Sequence, residues 1–186
     1  KMAIWVPAVM AVILILLTFD TVRQITAGGK RAPGYSVINQ KIFYEIDNDR
    51  GFQVPRIGQE EPLFGRRVSE EEAEAMVTLG KLTVQSKNCM NCHTLLGNGA
   101  YYAPDLTKAW LDPAWIHEEL RETLMLEFLQ DPAANARTFG TGRRMPDLGI
   151  TAEEAEGIVA FLKWMSAIDT NGFPRGFNAI EQEDGS

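Results

Sequence analysis

Cysteine and histidine are scarce: Cys89 and Cys92 are the only thiols, and His93 and His117 the only imidazoles, in 186 residues. Two thiols exclude a disulfide framework and a Cys₄ metal site, and any centre needing several Cys and His ligands must draw on these four residues. Basic charge is also short, with 18 Lys and Arg against 25 Asp and Glu and a net charge of −7. That balance excludes a nucleic-acid surface, which needs clustered cations. It suits solubility and charge-steered encounters with a basic partner instead. Internal repeats and low-complexity runs are absent. The length then implies one modest domain of roughly 100 residues, enough to bury a core, plus an appendage.

What the chain does have is one long apolar run. Met2 to Phe19, MAIWVPAVMAVILILLTF, carries no charge. Roughly 20 helical residues cross a bilayer core at about 1.5 Å each. Lys1 precedes the run, Asp20 and Arg23 follow it, and Trp5 sits near one end, as interfacial aromatics do. Pro7 falls in the first half, where neighbouring groups can re-satisfy the freed carbonyl. A secretory signal cleaved near Ala27, Gly28 and Gly29 is the competing reading, but its apolar region spans only about 7–15 residues. Residues 1–24 are therefore expected to form an uncleaved single-pass anchor, with Lys1 on the cytoplasmic side and everything after Asp20 outside. A few residues are expected to precede Lys1, which is not an initiator.

Gly28, Gly29, Pro33 and Gly34 mark a juxtamembrane linker. Ser36 to Ile46 contains Val37, Ile38, Ile42, Phe43 and Tyr44 and suits a strand or a short helix. Gly51, Pro55, Gly58, Pro62 and Gly65 then break any long element, so residues 25–68 read as a linker and an irregular, partly β, partner-facing segment. Helical signals begin at Ser69, which forms a capping box with Glu72, and Ala73, Met76, Val77 and Gly80 follow helical spacing over about 70–86. A second helix is expected from Asp112 (N-cap) and Pro113 to about Gln130, burying Trp115, Ile116, Leu120 and Leu124. A third opens on the Thr151–Glu154 capping box, buries Ala155, Ile158, Val159, Leu162 and Met165, and ends before Asn171, Gly172 and Pro174. Residues 176–186 form a loose polar tail. The domain proper is 69–175.

The chemistry sits in Cys89-Met90-Asn91-Cys92-His93, a C-x-x-C-H motif that reads as c-type haem attachment. Two thiols one turn apart can each bond a haem vinyl group, and the next residue places a neutral imidazole under the iron. A redox C-x-x-C expects a βαβ setting that the pattern lacks, and a zinc site would have to recruit His117 and crowd His93 against Cys92. Seven methionines compete for the opposite face. Met2 and Met10 lie in the apolar run and Met90 inside the attachment loop. Met76, Met125 and Met165 fall in helices, where core filling is the ordinary role. Met145 sits in Gly142-Arg143-Arg144-Met145-Pro146, a loop that Pro146 stiffens before the last helix, and is the candidate sixth ligand. His117 reads as a solvated helix residue, with axial ligation as its alternative. With both axial sites filled, the iron carries electrons and binds no substrate. Arg143 and Arg144 can pair with the haem propionates or stand as solvated charges.

Cys89 to Leu106 (CMNCHTLLGNGAYYAPDL), Gly142 to Pro146 (GRRMP), Phe161 to Pro174 (FLKWMSAIDTNGFP) and the N-terminal anchor together resemble NorC, the family of cytochrome c subunits of bacterial nitric oxide reductase. Asn98 stands where that family usually has an acidic residue, and residues 30–68 are longer than its usual connection. The resemblance implies an all-α, class I cytochrome c-like domain with one transmembrane helix and one covalent haem. It implies a place in the bacterial inner membrane with the domain in the periplasm. The donor would be a soluble cytochrome c or cupredoxin, and the acceptor a large polytopic haem b-containing subunit whose haem and non-haem iron reduce NO to N₂O. Catalysis would lie in that partner. A calcium ion at the subunit interface would be contacted by the Gly99 carbonyl and the Tyr101 side chain. A free-standing anchored shuttle, or a cytochrome belonging to a related haem–copper oxygen reductase, is the alternative.

Overall fold

The computed structural model describes residues 2–26, 31–115, 117–135 and 142–177. The expectations for Lys1, for the linker residues Ala27, Gly28 and Gly29, for Ile116 and for the tail beyond Phe177 lie outside these. The chain divides into two compact units, Lys1–Pro33 and Gly34–Ser186.

The first unit is helix α1, Met2–Thr26. It runs past the uncharged stretch because the polar end stays helical: Gln24 Nε2 donates to Asp20 Oδ2 one turn back, at 2.8 Å. Within it Ile4–Gln24, with mean hydropathy 2.1, is long and apolar enough to cross a membrane. Its large apolar side chains are uncovered by protein, Trp5 at 70% and Phe19 at 71% exposure, as a lipid-facing helix requires.

The second unit is mainly helical. Helix α2 (Glu70–Ser86) crosses α4 (Ala152–Ser166), and α3 (Arg121–Gln130) packs beside α4. Both long helices start at the expected caps. Thr151 and Glu154 form a complete reciprocal box. At α2, Ser69 accepts from Glu72 N, but the Glu72 carboxylate turns to Arg66 instead of returning to the cap, so the box is half made. Ala73, Val77, Ala155, Ile158, Val159, Leu162 and Met165 are buried as their spacing predicts.

Two stretches differ from the sequence reading. The segment expected to be irregular and partly β is more ordered than that: it holds an antiparallel hairpin, β1 (Gln40–Asp47) with β2 (Phe52–Glu60), whose register shifts between Gln40 and Ile42, preceded by a 3₁₀ turn at Tyr35–Asn39. Gly51, at φ +72°, supplies the left-handed turn residue. Pro55 pairs opposite Tyr44 and is tolerated because a two-stranded ribbon leaves half of its N–H groups without ladder bonds. The hairpin segment packs onto the helical core. Asn39 exchanges two 3.0 Å hydrogen bonds with the Val68 backbone, and the Tyr44 hydroxyl donates to the Ser166 carbonyl at 2.6 Å.

The helix expected from Asp112 to Gln130 is broken. Asp112 does cap, accepting from Ala114 N at 2.8 Å, but only a 3₁₀ turn at Pro113–Trp115 follows. The Trp115 indole folds back to donate to the Ala109 carbonyl at 2.7 Å, and α3 starts afresh at Arg121. Leu120, expected inside, is 52% exposed, and the buried positions of α3 are Arg121 and Met125.

Candidate functional site

The attachment motif begins where α2 ends. Asn88 takes the left-handed conformation, φ 55° and ψ 36°, which breaks the helix and starts a single 3₁₀ turn at Cys89–Asn91. Cys92 N and His93 N both donate to the Cys89 carbonyl, at 3.1 and 2.9 Å. The two thiols are thus one turn apart, both half-buried and unbridged. Burial pushes the Cys89 thiol up, and the neighbouring Cys92 adds to the rise. A redox C-x-x-C needs the opposite, a thiol pulled down toward neutrality.

The loop after the motif is locked back onto it. Ala100 N donates to the Met90 carbonyl at 3.0 Å, Ala103 N to the Cys92 carbonyl at 2.8 Å and Leu106 N to the Thr94 carbonyl at 2.8 Å. Asp105 accepts from the Thr94 hydroxyl at 2.6 Å and from Thr107 N at 2.8 Å, while the Thr107 hydroxyl accepts from Leu96 N at 2.8 Å. Gly99 makes this closure sterically feasible. Its φ is +118°, and a Cβ there would lie 2.2 Å from the His93 carbonyl oxygen.

The result of this clamp is the orientation of His93. Its Nδ1 lies 2.7 Å from the Pro104 carbonyl oxygen. A carbonyl only accepts, so Nδ1 carries the proton and Nε2 is left with a free lone pair, the form an iron ligand requires. A half-buried thiol pair one turn apart, followed at once by an imidazole of fixed tautomer, fits a covalently attached haem. No local sequence pattern points to Pro104, because its role is a contact eleven residues along the chain.

Met145 is half-buried in the loop before α4 and packs against the domain core that Cys89 also borders. Met125 and Met165, each 2% exposed, fill that core, as expected of helix methionines. His117 is exposed, between the Pro113–Trp115 turn and α3. Arg143 and Arg144 are both exposed. Arg143 donates to the Tyr102 carbonyl at 2.5 Å and lies over the Tyr102 ring, 4.8 Å from its centroid. This contact joins the methionine loop to the loop that holds His93. Gly99 serves the turn, and Tyr101 projects outward at 81% exposure. Among the described residues no group of three or more His, Cys, Asp or Glu is placed to hold a metal ion.

Residues 77–166 match the Cytochrome c family. The chain is 34% identical over 115 residues to the NorC subunit of nitric oxide reductase from Stutzerimonas stutzeri, covering 61% of this chain and 75% of that protein. It is 34% identical over 116 residues to the protein of the same name from Paracoccus denitrificans, covering 59% and 71%. With that of Halomonas halodenitrificans it shares 30% over 116 residues, covering 60% and 73%.

Proposed function

The chain belongs to the NorC family of nitric oxide reductase subunits, and from that premise we propose that it is the membrane-anchored, mono-haem electron-entry subunit of such a reductase. Cys89 and Cys92 would carry the haem, and His93 and Met145 would ligate its iron. Residues 1–24 form the anchor in the bacterial inner membrane, 25–68 a segment facing a partner, and 69–175 the haem domain on the periplasmic side. The observation that carries the reading is the 2.7 Å hydrogen bond from His93 Nδ1 to the Pro104 carbonyl, directly after the two thiols.

The bound haem supplies a one-electron couple, raised in potential by His/Met ligation. The chain's residues do the rest. Pro104 fixes the imidazole so that ligation costs little reorganisation. The Met90–Ala100 and Cys92–Ala103 hydrogen bonds hold the attachment loop rigid. The half-buried position of both thiols limits water at that edge. Tyr101, Tyr102 and Leu96 are exposed beside the site, where a partner can approach closely. The donor is a soluble periplasmic cytochrome c or cupredoxin. The acceptor is the large haem b-containing subunit, whose haem and non-haem iron couple NO to N₂O. A calcium ion between the subunits is contacted by the Gly99 carbonyl and by Tyr101.

Purification of the native complex tests this. The expected result is a haem-stained polypeptide of this mass that co-purifies with a polytopic partner, with NO uptake and no CO binding at the c-type haem. O₂ uptake without NO uptake would favour the related oxygen reductases. Isolation without any partner would favour a free-standing shuttle. Loss of haem stain is expected when Cys89 and Cys92 are replaced by Ala.

A further inference from the structure

The tip of the β1–β2 hairpin is fastened to the segment that follows α4. Asp47 builds the tip, its Oδ1 accepting from Asp49 N at 3.0 Å and from Arg50 N at 3.1 Å. The Arg50 guanidinium donates to both Asp169 oxygens, at 2.7 and 3.1 Å, and to Asn171 Oδ1 at 2.7 Å. It also lies over the Phe52 ring, 4.4 Å from the centroid. Gly172 rests on that same side chain, since a Cβ there would lie 2.7 Å from Phe52 Cβ and Cγ. The paired side chains are only 33% and 24% exposed. A forked, stacked and partly covered ion pair holds its geometry better than an ordinary surface pair.

The next residue carries the contact to the loop that holds His93. Phe173 is fixed by Thr170, whose hydroxyl donates to the Phe173 carbonyl at 2.6 Å and whose own carbonyl accepts from Phe173 N at 3.2 Å. The tip of the Phe173 ring meets Gly97, where a Cβ would lie 3.6 Å from Cζ. Leu96 and Gly97, at φ +50° and +80°, form the tight turn of a short ladder that pairs Thr94–Leu95 with Asn98–Gly99 directly after His93. The turn is also held by Leu96 N donating to the Thr107 hydroxyl at 2.8 Å. A second hairpin contact reaches the far end of this loop. The Lys108 amine, next to Thr107, lies 4.2 Å from the centroid of the Tyr44 ring. The charge of Asp169, the partner of Arg50, acts on that amine as well.

The hairpin and Asp169–Phe173 both lie outside residues 77–166, the part that matches the Cytochrome c family, yet together they engage both ends of the loop from Thr94 to Lys108. We propose that the hairpin is a brace for this loop, with Arg50 and Phe173 as positioning residues that keep the Pro104 carbonyl on His93 Nδ1. The inference rests on the covalent-haem reading above. A loop held at its turn and at its far end opens less often. The hydrogen bond that sets the tautomer and basicity of the imidazole then stays made through each change of charge on the iron.

The test compares full-length haem-loaded protein with Arg50→Gln, Phe173→Ala and the double variant. Haem stain and the absorption spectrum report on the haem reading itself. Two measurements report on the brace: exchange of the His93 Nδ1 proton, read among the iron-shifted proton NMR signals of the oxidised protein, and amide exchange across residues 94–107. The expected result is retained stain and spectrum, with α2 and α4 amides at wild-type rates. Exchange of the Nδ1 proton and of the loop should be faster by about tenfold in each single variant, with no further rise in the double one. Phe173→Ala leaves the Arg50–Asp169 pair in place, so it decides the matter even if Arg50→Gln fails to fold. Wild-type exchange at His93 and across 94–107 in loaded Phe173→Ala overturns the brace and leaves the haem reading intact. So does a rise confined to the hairpin in Arg50→Gln, or one spread equally over α2 and α4. A colourless wild-type protein overturns the haem reading and the brace with it.

Discussion

Gly80 of α2 and Gly157 of α4 meet backbone to backbone: a Cβ on Gly80 would lie 1.9 Å from the Gly157 carbonyl oxygen. Neither backbone can yield without parting the two helices that carry the attachment motif and follow the Met145 loop. Gly80→Ala is expected to cost about 3 kcal/mol or more. Gly157→Ala is milder, because its Cβ would meet Gly80 N at 3.0 Å and the movable Leu79 side chain at 3.1 Å. Chemical denaturation of the two variants checks the order, and equal losses would contradict it.

The hairpin segment depends on Asn39, which is 6% exposed and satisfies both backbone groups of Val68 at 3.0 Å. Asn39→Leu leaves a buried N–H and C=O unpaired, at about 2–3 kcal/mol together. Calorimetry of the haem-loaded protein is expected to show a transition lowered by roughly 5–10 °C. Faster hydrogen exchange across β1 and β2 should accompany it.

Replacing Met145 by Ala removes the proposed sulfur ligand from a half-buried loop position and leaves the buried Met125 and Met165 in place. The midpoint potential should fall sharply, the sulfur-to-iron absorption should vanish, and CO should bind the reduced haem. Optical spectra with and without CO read all three. An unchanged spectrum assigns the sixth position to another residue.

The parts legible in the sequence are those with local causes. The Ser69 and Thr151 caps, with apolar residues at helical spacing, fix the starts of α2 and α4 to the residue, and the spacing of Cys89, Cys92 and His93 is enough to place all three on one turn. The hairpin is obscured because Pro55 and Gly58 are breakers in a broad sheet and harmless in a two-stranded ribbon. The second helix reads too long because Trp115 commits its indole to the Ala109 carbonyl and ends the turn begun at Pro113. Pro104 reaches His93 through a tertiary contact, which residue spacing does not encode.

Two buried lysines set the pH dependence of folding. Burial lowers Lys163 to about 8, although Glu61 opposes the shift, and lowers Lys108 to about 8, although Asp169 opposes it. Both are held at cost in the charged form, one 0% exposed and the other 3%. Between about pH 8 and the ordinary lysine value the unfolded chain binds more protons than the folded one, so stability rises with pH across that window. The gain should be on the order of 4 kcal/mol between pH 8 and 10, about half from each lysine. Burial raises Tyr44, with the Asp169 charge adding to it, so the folded state resists tyrosinate formation. That contribution is complete below the ordinary tyrosine value and is lost above it, which ends the rise near pH 10. Denaturation midpoints at pH 7, 8, 9 and 10 trace the curve. Lys163→Met should flatten the rise by about half while lowering stability at every pH, because the Glu61 carbonyl loses its 2.9 Å donor. A wild-type slope in Lys163→Met would show that this amine does not titrate in that window.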